Sequence, residues 1–245
     1  MTLDAWQWAM IVVAATLVGV SKTGIAGVGM LFVAIFANIL PTKIASGFVL
    51  PLLIFGDVVA VASYRRHTEW KYLWRLMPWT AAGVVTGYFA MDRIDDRQAS
   101  VLIGTIIVVL VGAQAWRKWR PPAADAPHPV WFAPLIGVLA GFTTLVANAA
   151  GPLMAVYLLA MRLPKMAYVG TGAMFFLLLN LFKVPFMVNL GLITTDSFGV
   201  NLMLAPAVLA GALFGRWLLP RINQRLFEGL ILVFSALAGL RLLLS

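Results

Sequence analysis

Four polar residues stand alone in apolar surroundings: Lys22 in VGVSKTGIAGVGM, Asp57 in IFGDVVAV, and Asn180 with Lys183 in LNLFKVPFMV. An ammonium group deep in hydrocarbon costs about 2.5–3.5 kcal/mol on insertion scales, so each lysine must face a partner or a polar interior. Lys22 can contact the oxygens of an anion; it can also cap the carbonyls of the helix it ends, or pair with Asp57. Asp57 can carry a coupling proton, or form a structural ion pair with Lys22 or Lys183. Asn180 cannot titrate and is expected to hydrogen-bond a turn. Lys183, about one turn further on and close to Pro185, can snorkel toward the nearer membrane surface or guide anions. Around these groups, two stretches mix small and polar residues, SKTGIAG (21–27) and TTLVANAAGP (143–152). They supply Ser21, Thr23, Gly24, Gly27, Gly29, Thr143, Thr144, Asn148 and Gly151 as candidate ligand contacts, through hydroxyls, an amide and open backbone N–H groups. For the two threonines, packing between helices is the plainer use.

Such residues matter only if the elements holding them lie in lipid, and the composition says they do. Of 245 residues, 62% are hydrophobic and 11% charged, with a mean hydropathy of +0.95. Soluble domains hold roughly half apolar and about a quarter charged residues. At about 20 apolar residues per crossing, the chain is a polytopic all-α membrane protein. The N-terminus MTLDAWQWAM has no basic residue, so the first apolar segment is expected to remain rather than be removed as a signal peptide. The tryptophans fall mostly near the ends of apolar runs, where they form interfacial belts.

Apolar runs cover 5–40, 44–64, 76–91, 99–115, 131–161, 166–188, 198–219 and 226–244. The first and fifth are too long for one crossing and contain the two polar breaks. The basic clusters RRHTEWKYLWR (65–75) and WRKWR (116–120) point to the cytoplasm. Carried through the chain, this assignment places twelve of the 18 basic residues inside and four outside, with Lys22 and Lys183 in the membrane. Both termini then lie outside. Each long run must start and finish on the same side, so each is expected to be a hairpin that enters to mid-membrane and returns. The halves 1–120 and 121–245 thus share one plan in opposite orientation: a broken hairpin, then three helices. LVGVSKTGIAGVGM aligns with LAGFTTLVANAAGPLM, pairing Gly19 with Gly141 and Gly29 with Gly151, and Asp57 falls opposite Asn180. Inverted repeats with Gly/Pro-interrupted segments are the mark of a secondary transporter, and the breaks point to its site.

The hairpins with their breaks GIAGVGM and ANAAGP, followed by LPTKIASG and LPKMAYVG, resemble the sulfite exporter TauE/SafE family of bacterial membrane permeases over nearly the whole chain. The resemblance implies export of small anions, such as sulfite, sulfoacetate or other organosulfonates, across the inner membrane.

Glycines permit a turn at membrane depth. Ser21 or Thr23 is expected to cap a returning half-helix beginning near Gly24, and Asn148 one beginning near Ala149. Two such N-termini converging from opposite sides would polarise one point for an anion. The chemistry for an enzyme is missing: there are no cysteines, and the two histidines, His67 and His128, fall in loops, leaving no nucleophile pair or metal cluster in the apolar runs. No cofactor is called for. The net charge of +9 follows the positive-inside bias and does not call for nucleic acid. Gly83 and Gly87 form a GxxxG pair that serves packing within the bundle or a homodimer. An anion channel, or an uptake permease for sulfonates or small carboxylates, would use a similar construction.

Overall fold

A computed structural model of the chain describes residues 4–24, 28–40, 42–90, 93, 95–119 and 129–244. Gly27, one of the candidate contacts, lies outside them, as does His128.

Among the described residues the long elements are ten α-helices and no strands. The first long run is α1 (Ala5–Thr23) and α2 (Gly29–Ile39); α3 is Thr42–Tyr64 and α4 Trp70–Ala90. Next come α5 (Asp96–Trp119), then the second broken run as α6 (Phe132–Ala147) and α7 (Ala150–Ala160). The chain ends with α8 (Lys165–Asn189), α9 (Thr195–Leu218) and α10 (Gln224–Leu244). Helix starts follow local chemistry. Asp4 and Gln7 form a capping box on α1, and Thr194 and Ser197 form another on α9. Asn223 Oδ1 accepts the Leu226 N–H at 2.8 Å at the start of α10. Helix α4 begins six residues before the apolar run that marks it, because WKYLWR continues the helix instead of forming a loop.

Both hairpins are broken where the glycines and asparagine predict, but later than expected. The Ser21 hydroxyl donates to Val18 O (2.8 Å), that of Thr23 lies 3.1 Å from Gly19 O, and both residues belong to α1 instead of standing ahead of the returning helix. The residue before α2 is Val28, which makes no side-chain cap. In the second hairpin Asn148 closes α6 instead of opening α7. It takes left-handed φ of 52° as the C-cap, its N–H bonding Thr144 O, and Ala149 N reaches back to Thr143 O, so the last carbonyls of α6 are satisfied. The capping expectation is therefore wrong at both tips: Ser21 and Thr23 belong to the arriving helix, and Asn148 closes α6 with its backbone while its side chain bonds Ser46 and Lys183.

The arms are unequal. Helix α1, with 19 residues, is about 28 Å long, close to the ~30 Å of hydrocarbon, whereas α2 and α7, with 11 each, are about 16 Å. Among the described residues, four helical segments are long and apolar enough to cross a membrane: Ala5–Thr23, Ile44–His67, Lys165–Asn189 and Ser197–Arg221. The remaining long helices, α4, α5 and α10, carry charges in their terminal turns.

Helix α1 packs along α9, α6 along α4, α3 along α8 and α5 along α10. Glycines set the first two contacts. A Cβ on Gly19 would overlap the Val208 carbonyl of α9, and one on Gly141 the Thr80 carbonyl of α4. Small residues give this close approach in membranes, where apolar burial does not drive helices together. Gly83 and Gly87 are taken up in the same α4–α6 contact, against Val138 and Phe142. The exterior is oily, with Leu202, Met203 and Phe89 exposed, while Asp57, Asn180 and Lys183 are buried. That inversion of the soluble pattern suits a lipid solvent.

Candidate functional site

A cavity of about 230 Å³ opens between the two helix breaks. Ser21, Lys22, Gly24 and Gly29 line it from the first break; Thr144, Asn148 and Gly151 line it from the second; Phe176 and Asn180 of α8 close a side. Sequence reasoning missed Phe176. It sits one helical turn before Asn180, and its ring centroid lies 4.5 Å from Lys22 Nζ, a cation–π contact.

Lys22 is held from behind by α3. Its Nζ is 2.8 Å from Asp57 Oδ1, and its side chain is 10% exposed while that of Asp57 is 0% exposed. The lysine stem crosses α3 at Gly56, where a Cβ would come within 3.1 Å of Lys22 Cγ, so the glycine makes room for the ion pair. Asn180 Nδ2 donates to Asp57 Oδ2 at 2.7 Å. Asn180 thus bonds the carboxylate and not a turn, contrary to expectation.

Lys183 does not snorkel. It is fully buried, and its Nζ donates to Thr144 O at 2.8 Å and Asn148 Oδ1 at 2.6 Å, with Thr144 Oγ1 at 3.4 Å. The physical reason is the C-terminus of α6, whose carbonyls form the negative end of a helix next to α8. Asn148 Nδ2 in turn donates to the backbone oxygen and hydroxyl of Ser46 on α3, at 3.1 and 3.2 Å. Ser46 carries no sign in the sequence, being one small residue in an apolar helix.

The remaining candidates lie outside the cavity lining. Thr23 is buried against α9, its hydroxyl donating to Ala212 O at 2.6 Å and its carbonyl accepting from Tyr64 Oη at 2.9 Å. Thr143 donates to Ala140 O within α6. Asp57 stands behind Lys22 and Lys183 behind Asn148. The tips do not converge on one point. The first engages α3 at Asp57 and Tyr64, the second at Ser46. Along the helix Ser46 is about three turns, roughly 16 Å, from Asp57 and about five turns from Tyr64. Each tip has gone past the other, and the cavity runs between them.

An all-helical, multi-pass bundle with an apolar exterior and charged groups gathered at interrupted helices is the construction of a membrane transporter. The chain belongs to the sulfite exporter TauE/SafE family, whose family model matches residues 11–242. That family is one of membrane transporters, not of enzymes. A 78-residue stretch is 27% identical to the "Probable membrane transporter protein MamO" of Magnetospirillum gryphiswaldense, covering 32% of this chain and 12% of that protein. The protein of the same name from Paramagnetospirillum magneticum is 24% identical over 78 residues, with the same coverage. The matched stretch is therefore a small fraction of those relatives' length. No solved structure matches the chain.

Proposed function

We propose that this chain is a secondary transporter that exports small anions, sulfite or organosulfonates such as sulfoacetate, across the bacterial inner membrane by alternating access around the cavity between the hairpin tips. One observation carries this reading: two ammonium groups and one carboxylate meet in and directly behind a cavity set in apolar helices. With Lys22, Asp57 and Lys183 in their ordinary charge states the group is positive by one, and a buried positive charge favours an anionic guest. The volume equals that of several waters at about 30 Å³ each, enough for one such anion. The first amides of α7 lack intrahelical partners, and Gly151 in its first turn lines the same cavity.

The division into inverted repeats, 1–120 and 121–245, is supported by how the helices pair. The α1–α9 contact corresponds to the α6–α4 contact, and the aligned pair Gly19 and Gly141 sits at the closest approach in each. Two halves related in this way can rock about a central site. In this reading the α3–α4 connection, with its basic cluster, faces the cytoplasm and both termini face outside, an orientation that the positive-inside bias supports.

The test is flux in proteoliposomes. Wild-type protein gives saturable sulfite or sulfoacetate transport with counterflow; Lys22→Ala and Asp57→Asn proteins insert normally and lose net flux. A non-saturating conductance without counterflow would make the protein a channel. Normal transport by both variants would remove the central site.

A further inference from the structure

We propose that Asp57 takes up a proton when an anion binds at Lys22, so that the carrier moves one proton with each anion; this rests on the transport reading above. The argument begins with the placement of Lys22. It faces the cavity, while Asp57 lies behind it, outside the cavity lining and wholly buried. An anion entering from the front and the carboxylate behind would share one ammonium group. Two like charges so close in an apolar interior disfavour each other, and the strain is relieved when one of them takes a proton. A sulfonate is the anion of a strong acid and stays ionised. The carboxylate is therefore the group that accepts the proton.

The surroundings fit a group that changes charge in place. The charged residues facing Asp57 are Lys22 from α1 and Lys183 from α8. Helices α2 and α6 contain no ionisable residue, and those of α9, Asp196 and Arg216, are in its terminal turns, Arg216 near Tyr64. The Asn180 amide on Oδ2 can donate to a carboxylate or, more weakly, to the carbonyl oxygen of the acid, so the carboxyl has the same partner in both states. Lys183 cannot relieve the site, because its ammonium is already fixed on Thr144 and Asn148. With a monovalent anion bound and Asp57 protonated, the site has the same net charge as when empty. The empty and loaded carriers then face the same electrostatic barrier. The proton comes from the aqueous side to which the cavity is open, forms an O–H bond on Asp57, and leaves with the anion on the other side. Asn180, in the aligned place of the second half, cannot do the same, which limits the count to one.

The experiment uses full-length protein in liposomes with a trapped pH-sensitive dye and a gradient of methanesulfonate, a monovalent sulfonate with no carboxylate of its own. Protons are expected to move in the same direction as methanesulfonate, one per anion. In Asp57→Asn, proton movement stops and net flux falls by about tenfold or more, within the usual span for two linked sites. Methanesulfonate-for-methanesulfonate exchange persists in that variant, since exchange never needs the empty site to return. Methanesulfonate movement without protons in the wild type overturns the proposal, and that measurement decides even if the variant does not fold. Proton movement surviving in Asp57→Asn overturns it too. Absence of saturable counterflow removes the transport reading itself, which is a different result.

Discussion

The two hairpins are packed alike along their long arms and fastened differently at their tips. In the first, the lysine is on the tip, its partner Asp57 is on the crossing helix α3, and the ammonium faces the cavity. In the second, the lysine is on the crossing helix α8 and reaches back to the tip, where Thr144 and Asn148, themselves in the cavity wall, offer it neutral oxygens while the lysine stays outside the lining. One joint contains a group that can lose its charge by taking a proton. The other is a set of hydrogen bonds whose acceptors are fixed by the backbone of α6. A buried cation can thus be a working part or a fastening, and its partners decide which.

The largest effect tests what the halves share. Gly141→Leu would drive a side chain into the Thr80 backbone, and Gly19→Leu into that of Val208. Ordinary overpacking costs about 1–3 kcal/mol, but here the obstacle is backbone that cannot rotate aside. Both variants should fail to give monodisperse protein on size-exclusion chromatography. Gly151→Ala, which meets nothing within 4 Å, should elute as the wild type does. If the two leucine variants also elute normally, the arms are not packed alike.

The next effect separates the tips. Lys183→Met leaves Thr144 O and Asn148 Oδ1 without their charged donor, a loss of roughly 1.5–3 kcal/mol for a hydrogen bond to a charged group. Lys22→Met leaves a carboxyl group that can be neutralised by a proton. Thermal unfolding in detergent should therefore drop further for Lys183→Met than for Lys22→Met, while transport is lost with Lys22. The reverse order in stability would exchange the roles assigned to the two lysines.

Much of this was legible in the residues themselves. The breaks show as glycine-rich interruptions in overlong apolar runs, and Asp57 stands out because nothing polar surrounds it. What was not legible depends on bonds that sequence spacing does not express. Ser21 and Thr23 look like caps, yet their hydroxyls find carbonyls one turn back and let α1 continue to Thr23. Lys183 lies near a proline and a helix end, which suggests an exit to the surface; only the folded chain puts the C-terminus of α6 beside it. Ser46 and Phe176 have no distinguishing neighbours in the sequence, and their importance comes from what crosses them. The offset of the tips was partly readable, since an arm running from Ala5 to Thr23 is already close to the full hydrocarbon thickness.

The smallest effect sharpens the comparison at the anchors on α3. Tyr64 Oη donates to Thr23 O at the first tip, and Tyr64→Phe removes that donor outright. Interhelical hydrogen bonds in membranes average about 0.6 kcal/mol and reach about 1.7, so a small fall in thermal midpoint is expected. At the second tip Asn148 Nδ2 has two acceptors on Ser46, the backbone oxygen at 3.1 Å and the hydroxyl at 3.2 Å. Ser46→Ala removes only the hydroxyl, and the amide can keep its bond to the carbonyl. The Tyr64→Phe shift should therefore exceed the Ser46→Ala shift. A larger loss from Ser46→Ala would mean that the hydroxyl, not the backbone, anchors Asn148, making the second tip the one that depends on side chains alone.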